Sequence, residues 1–235
     1  MNKFLILLCT IALLFSSCRK VIGDGPTITD SRSVSTFDAL DISVSADVDY
    51  TPSTNSNVTI EAQRNILDVI ETFVQSGRLR IKFRDRVNVR GHERIRIHVS
   101  GPDLRAISLS GSGNTNVNGT MNSNSLALEV SGSGNLFLSG AQTDVISARV
   151  SGSGSIRVAS GSANRADIHV SGSGDVDMSP MQAQVAETHT SGSGTIRLKV
   201  QQRLEAHVSG SGNVWYLGQP QVTTHISGSG SVRPF

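Results

Sequence analysis

The stretch VSGSGSIRV, residues 150–158, contains a tetrapeptide, SGSG, that occurs seven times in the chain. The copies begin at Ser110, Ser131, Ser151, Ser171, Ser191, Ser209 and Ser227. The start positions are evenly spaced at first, and the last two intervals are slightly shorter than the others. A repeat of about 20 residues is typical of a solenoid, in which each coil packs only on its neighbours.

Apolar residues flank each tetrapeptide at alternate positions. Around Ser151 they are Ala148, Val150, Ile156 and Val158, and polar residues separate them. Alternation with a period of two predicts strands that have one buried face. A flexible Gly/Ser linker would not keep apolar residues in fixed register, so that interpretation is rejected.

The alternation continues through the tetrapeptide itself. It places Gly152 and Gly154 on the inward side and Ser151 and Ser153 on the outward side. Because glycine permits close backbone approach at a bend, SGSG is predicted to form a tight corner of each coil. The last two intervals are shorter by an even number of residues. Because side chains of a strand alternate between its two faces, this change leaves each inward-facing position facing inward.

These patterns predict an all-β protein, a right-handed parallel β-helix-like solenoid with coils of about 18–21 residues. The right hand is the default for parallel crossovers. The solenoid is expected over residues 107–235, and a β-rich region over residues 34–106 is expected to continue it within one domain. A chain of 235 residues with 37% hydrophobic but only 4% aromatic residues suits a thin aliphatic core.

Two segments of the N-terminal region are less regular. The segment Asn65–Val74 fits a helical stripe with Asn65 as the N-cap, but it also fits part of a hairpin turning at Ser76–Gly77. We expect one helical turn followed by the hairpin. The segment Asp85–Glu93 is predicted to be a basic loop.

The first residues have the pattern of an export signal. Lys3 precedes an apolar run, Phe4–Phe15, which is too short for a comfortable membrane span. The run ends before Cys18 in a sequence that resembles the lipobox of bacterial lipoproteins, although Phe15 stands where Leu is usual. The resemblance implies that residues 1–17 are a signal peptide and that Cys18 is lipidated.

Lipidation of Cys18 would make the membrane a partner of the protein through its N-terminal lipid. The expected location is the cell envelope, on the outer membrane, facing either the periplasm or the outside. The alternative is an ordinary signal peptide with an unmodified cysteine. Residues 18–33 are polar and contain Gly and Pro, so they are predicted to be a tether.

Four sequence features together indicate a family resemblance. They are Phe37-Asp38-Ala39-Leu40-Asp41-Ile42, Gly77-Arg78-Leu79-Arg80-Ile81, Pro102-Asp103-Leu104 and the SGSGN-like repeats from Ser110. Together they resemble the autotransporter adhesin family that carries a head GIN domain. The resemblance implies β-helix-type stacking and an adhesin role. It names no ligand and supplies no site residues.

One outward column, two residues before SGSG, carries four of the six histidines: His169, His189, His207 and His225. Acidic residues lie two positions earlier in three of these repeats. Such a stripe could bind a transition metal or a ligand that depends on imidazole protonation. A solvated face copied by repeat duplication is the favoured alternative, because no complete set of metal ligands is evident. No metal and no cofactor are therefore predicted, and the four histidines are kept as a candidate ligand-binding surface.

A second outward column lies on the other side of the corner. It includes Arg157, Arg197 and Trp215. The tryptophan is expected to be exposed, and with the neighbouring arginines it could stack on sugars or bind acidic glycans. The alternative is a face of mixed charge that keeps the solenoid soluble. The net charge of +2 gives no indication of a nucleic-acid partner.

The predicted function is that of a non-catalytic, lipid-anchored envelope protein. It would present repeated polar rows to glycans or other cell-surface polymers. The alternative is a β-helix polysaccharide lyase or hydrolase that uses the arginine column. The serines lack a defined base, and seven equivalent copies indicate an architectural role.

Overall fold

The computed structural model describes residues 19–235, and strands make up most of this part of the chain. Of these residues, 74% lie in strands and 2% in helix, which confirms the all-β prediction. The predicted signal peptide and Cys18 lie outside the described residues. From residue 19 onward, no helix has both the length and the apolar character needed to cross a membrane.

The N-terminal region contains nine strands and one short helix. They are β1 (Arg19–Ile22), β2 (Thr27–Ser33), β3 (Ala39–Ser43), β4 (Asp47–Pro52), β5 (Asn57–Gln63), α1 (Arg64–Leu67), β6 (Ile70–Gln75), β7 (Arg78–Phe83), β8 (Val87–Arg90) and β9 (Arg96–Gly101).

The repeat region contains ten further strands. They are β10 (Ala106–Gly111), β11 (Asn114–Gly132), β12 (Asn135–Gly152), β13 (Ser155–Val158), β14 (Gly161–Gly172), β15 (Asp175–Gly192), β16 (Thr195–Gly210), β17 (Asn213–Leu217), β18 (Gln221–Gly228) and β19 (Ser231–Pro234).

Strands of successive coils pair in parallel and in register. Gly132 lies beside Gly152, which lies beside Gly172, and the row continues through Gly192 to the end of the chain. The result is a β-solenoid of about six coils, which confirms the predicted fold class. Where the repeat first shortens, the pairing of β15 with β16 shifts between Met178 and Val185 and then resumes.

The core is a narrow column of aliphatic side chains. Ala148, Val150, Ile156 and Val158 are at most 2% exposed, as the alternation predicted. Each packs against its counterparts in the coils above and below, so a coil that buries little by itself becomes part of one continuous core.

The SGSG corner is built on the close approach of one backbone to the next. Gly152 has φ of +120°, which side-chain-bearing residues rarely adopt, and a Cβ added to it would lie 2.5 Å from the carbonyl oxygen of Gly132. Gly154 is buried, and a Cβ there would collide with the carbonyl oxygen of Gly134. The predicted corner is therefore confirmed.

The N-terminal region continues the same stack, as predicted. Strand β3 pairs in parallel with both β7 and β10, and β4 pairs in parallel with both β9 and β11. The register places Ser43-Val44-Ser45-Ala46 at the position of SGSG in this coil. In the N-terminal region the parallel stack ends, and antiparallel pairs replace it. These pairs are β2 with β5, β5 with β9 and β6 with β7.

The predicted tether over residues 18–33 is wrong for the described part, because β1 and β2 are paired strands. Strand β2 lies antiparallel to β5, and β1 lies parallel to β8. The predicted loop Asp85–Glu93 likewise contains β8. Strands β1 and β8 have only four residues each, and β2 contains one apolar residue, Ile28, so backbone pairing defines these strands more than an apolar face does.

The helical turn and the hairpin are confirmed by α1 and by the antiparallel pair of β6 with β7. The predicted N-cap is wrong, because Gln63 occupies that position and makes no side-chain cap bond. Asn65 instead holds the N-terminal segment. Its side chain donates to the carbonyl oxygen of Ile22 at 2.6 Å and accepts from the backbone N–H of Asp24 at 3.1 Å.

Replacing Gly152 with alanine should destabilise the solenoid by about 1–3 kcal/mol, the usual cost of forcing extra atoms into a packed site. The added Cβ would meet the Gly132 carbonyl and would force alanine into a positive φ. Ser153→Ala at the exposed neighbouring position is the matched control. Chemical denaturation measures both, and equal free energies of unfolding for the two variants would contradict the corner geometry.

Candidate ligand-binding surfaces

The four histidines form a continuous stack along one face of the solenoid. In-register pairing of β14, β15, β16 and β18 places them in one row. Neighbouring rings have centroids 4.6, 4.5 and 4.6 Å apart, and their planes differ by no more than 10°. These separations are close to the spacing of paired strands, so the stack follows directly from the register.

Two carboxylates lie beside this stack. The Nε2 atom of His189 is 2.9 Å from Oε1 of Glu187, and Nε2 of His207 is 3.2 Å from Oε1 of Glu205. The Nε2 atom of His225 is 4.0 Å from the same oxygen of Glu205. Each carboxylate is two residues before a histidine on the same strand, and both side chains point outward. We call the four histidines, together with Glu187 and Glu205, the histidine row.

Charge is distributed unevenly along the histidine row. Arg165 donates to Oε2 of Glu187 at 2.7 Å and also pairs with Asp167 at 2.8 Å. The hydrogen bonds from His189 and from Arg165 lower the pKa of the Glu187 carboxyl. Burial of its imidazole lowers the pKa of His169, and the nearby His189 lowers it further. Both shifts favour the ionised form of Glu187 and the neutral form of His169.

An open groove of about 390 Å³ runs along the histidine row. Its lining combines the four imidazoles with the residues that follow them, among them Val170, Thr190 and Val208. The side chains of His189 and His207 are 37% and 34% exposed, so each imidazole is partly accessible and partly covered. A ligand in this groove would meet nitrogen and oxygen lone pairs at regular spacing.

The second predicted column is also present as a row. Arg157, Asp177, Arg197 and Trp215 occupy equivalent positions in successive coils. Arg157 and Arg197 are exposed, and neither forms an ion pair with any residue from 19 to 235. None of these residues lines the groove at the histidines, so the structure does not join the two predicted surfaces.

Trp215 is less accessible than predicted. It is half-buried, and its ring packs edge-on against Phe235, with centroids 6.5 Å apart and planes at 90°. The prediction of an exposed tryptophan was wrong because the C-terminal residue covers part of the ring. Arg157 and Arg197 remain the accessible members of this surface.

A third surface was not predicted from the sequence. A groove of about 540 Å³ spans several coils, and amide and carboxylate side chains dominate its lining. Six of the residues that line this amide groove are Asn122, Asn124, Gln142, Asp144, Asn164 and Gln184.

Hydrogen bonds between coils order part of the amide groove. Ser162 donates to Oε1 of Gln142 at 2.7 Å, and Asn164 donates to Oδ1 of Asp144 at 3.0 Å. The sequence does contain a signal for it, since the position seven residues before SGSG is an amide or an acid in five successive coils. Those residues are Asn124, Asp144, Asn164, Gln184 and Gln202.

Comparison with known families places the chain among adhesins. The sequence model of the family described as "Putative auto-transporter adhesin, head GIN domain" matches residues 36–220. The chain belongs to this family. The resemblance predicted from the motifs is thereby confirmed, and the family description is that of a surface or envelope binding protein rather than an enzyme.

Solved structures share the fold of this family member. A "putative adhesin" from Bacteroides fragilis is 23% identical with a TM-score of 0.86, and the match covers 92% of this chain and 100% of the other. A "putative adhesin" from Parabacteroides distasonis is 26% identical with a TM-score of 0.73 and the same coverage of both chains.

A "putative lipid binding protein" from Parabacteroides distasonis is 25% identical, with a TM-score of 0.79 and coverage of 92% of this chain and 100% of the other. Among curated proteins, no relative of the chain is found.

Proposed function

We propose that this protein is a non-catalytic binding module of the cell envelope that holds a hydroxyl-rich glycan in the amide groove. Membership of an adhesin family supports a binding role at the cell surface or envelope. The observation that carries the choice of ligand is the amide groove itself, a polar concavity that extends over several coils.

Amide side chains suit the hydroxyl groups of sugars because each offers both hydrogen-bond donors and an acceptor. The residues that line the amide groove repeat about every 4.8 Å along the solenoid, as paired strands require. A polymer of sugar rings also presents similar hydroxyl groups at regular intervals. Repeated weak contacts along such a polymer would add up to useful affinity.

The composition of the amide groove favours a neutral glycan over an acidic one. Its lining contains one carboxylate, Asp144, and no basic side chain. Arg157 and Arg197 are the exposed groups that would suit an acidic polymer, and they lie on a different row. A glycan bound in the amide groove would therefore not need either arginine.

The enzyme alternative has less support. The family description is that of an adhesin. A lyase or hydrolase also needs a positioned acid and base at the scissile bond. The arginine row offers Asp177 between Arg157 and Arg197, but Asp177 accepts hydrogen bonds from Ser179, its own neighbour on the strand.

Glycan binding can be tested on an array that contains neutral hexose polymers and uronic-acid polymers. We expect binding to a neutral polymer, weakened at least about fivefold in a Gln142→Ala/Asn164→Ala variant, since each lost hydrogen bond contributes about 0.5–1.5 kcal/mol. The matched control is Arg157→Ala/Arg197→Ala, which should bind as the unaltered protein does.

Three results would contradict this proposal. They are binding to no polymer on the array, loss of binding only in the arginine variant, and release of cleaved product from the bound polymer. The last of these would restore the enzyme alternative.

We also propose that Cys18 is lipidated and anchors the protein to a membrane. The first described strand begins at Arg19, so a lipid on Cys18 would lie directly beside the folded N-terminal end. In cells, Cys18→Ser should move the protein from the membrane fraction to the soluble fraction, because the acyl chains supply the anchor. A Ser17→Ala variant is the control, and unchanged membrane association of Cys18→Ser would refute the anchor.

A further inference from the structure

We propose that Glu205, His207 and His225 bind one divalent transition-metal ion, and that Zn²⁺ is the ion best suited to them. Two imidazole nitrogens and one carboxylate oxygen are a donor set that zinc accepts readily. These three ligand atoms lie within 4.8 Å of one another. Three protein ligands would leave a further position on the ion for water or another ligand.

The separations of these atoms are close to those that a bound ion requires. Zinc–nitrogen and zinc–oxygen bonds of about 2.1 Å at a tetrahedral angle place two ligand atoms about 3.4 Å apart. Oε1 of Glu205 and Nε2 of His207 are already 3.2 Å apart. Nε2 of His225 is 4.0 Å from the same oxygen, so a shift of less than about 1 Å would complete that pair.

His225 is the member of the histidine row that is most able to make this shift. It lies on β18, in the last coil, and its side chain is 57% exposed. Among residues 19–235, its ring stacks against His207 alone. Metal coordination requires each ring nitrogen to point at the ion, so one ring must turn out of the parallel stack, and His225 meets the least resistance.

A second group, Glu187 with His189 and His207, fits an ion less well. Oε2 of Glu187 accepts a hydrogen bond from Arg165 at 2.7 Å, which offsets its charge and brings a cation near the site. His189 is stacked between His169 and His207, at 4.6 and 4.5 Å, and cannot turn without breaking both contacts. Glu205 has no arginine or lysine partner among the described residues.

The stoichiometry follows from the residue that both groups share. His207 belongs to each group and offers one ligand atom to either. The two groups therefore cannot be filled independently, and one ion per chain is expected. The ion would join β16 to β18, the last pairing on this face of the solenoid, and should stabilise that end.

This site does not depend on the proposed glycan function. The groove along the histidine row and the amide groove have no lining residue in common. The sequence alone predicted no metal because spacing showed a stripe but no set of converging ligands. The added observation is that Glu205 lies between two histidines of successive coils.

Zinc binding can be measured by isothermal titration calorimetry of ZnCl₂ into the purified chain without an affinity tag, at pH 7.5. We expect one equivalent to bind. Glu205→Gln and His225→Ala should each lower the affinity at least tenfold, and the matched controls Glu187→Gln and His169→Ala should change it less than threefold. At the same concentration, Zn²⁺ should raise the melting temperature of the unaltered protein more than that of Glu205→Gln.

Circular dichroism of each variant without metal establishes that it is folded, and the Glu→Gln changes preserve side-chain shape. Absence of saturable zinc binding would overturn the proposal. Loss of affinity in Glu187→Gln with retention in Glu205→Gln would overturn the assignment of the ligands. Binding of two equivalents would overturn the shared role of His207.

Discussion

In-register parallel pairing between coils is the constraint on which the rest of the structure depends. Each coil is too short to bury a core by itself, so its backbone groups and its aliphatic side chains must pair with those of its neighbours. The pairing brings Gly152 against the carbonyl oxygen of Gly132, where no side chain would fit. The SGSG sequence recurs because this approach recurs between successive glycine corners from Gly132 onward.

The same register converts a repeated residue into a row. A histidine copied from coil to coil becomes a stack of rings 4.5–4.6 Å apart. A polar residue after the corner becomes a chain of hydrogen bonds, in which Ser155 donates to Asn135 and Asn135 donates to Asn114. Function in such a protein can therefore be varied by changing one column, while the aliphatic core and the corners stay as they are.

Features that depend on the repeat were predicted correctly from the sequence, and the incorrect predictions fall where the repeat is weak. The solenoid, the corner and the histidine row all follow from SGSG and the alternation around it. The coil that turns at Ser43–Ala46 was not recognised as a solenoid coil because its corner contains no glycine. Strands β1 and β8 were missed because they have only four residues each, and β2 was missed because it has one apolar residue. The contact of Arg165 with Glu187 and the cover of Phe235 on Trp215 depend on side-chain positions that spacing does not determine.

The stacking of coils is tested most directly by pulsed electron paramagnetic resonance between spin labels on the third residue of different SGSG corners. Ser133, Ser211 and Ser229 are exposed, as is Ser112 in the first corner. Paired strands about 4.8 Å apart predict separations of about 19 Å for Ser133–Ser211, 24 Å for Ser133–Ser229 and 29 Å for Ser112–Ser229. The account predicts that the distance between labels increases by the same amount for each additional coil, whether the coils between them are longer or shorter. Distances that do not increase with the number of coils would contradict it.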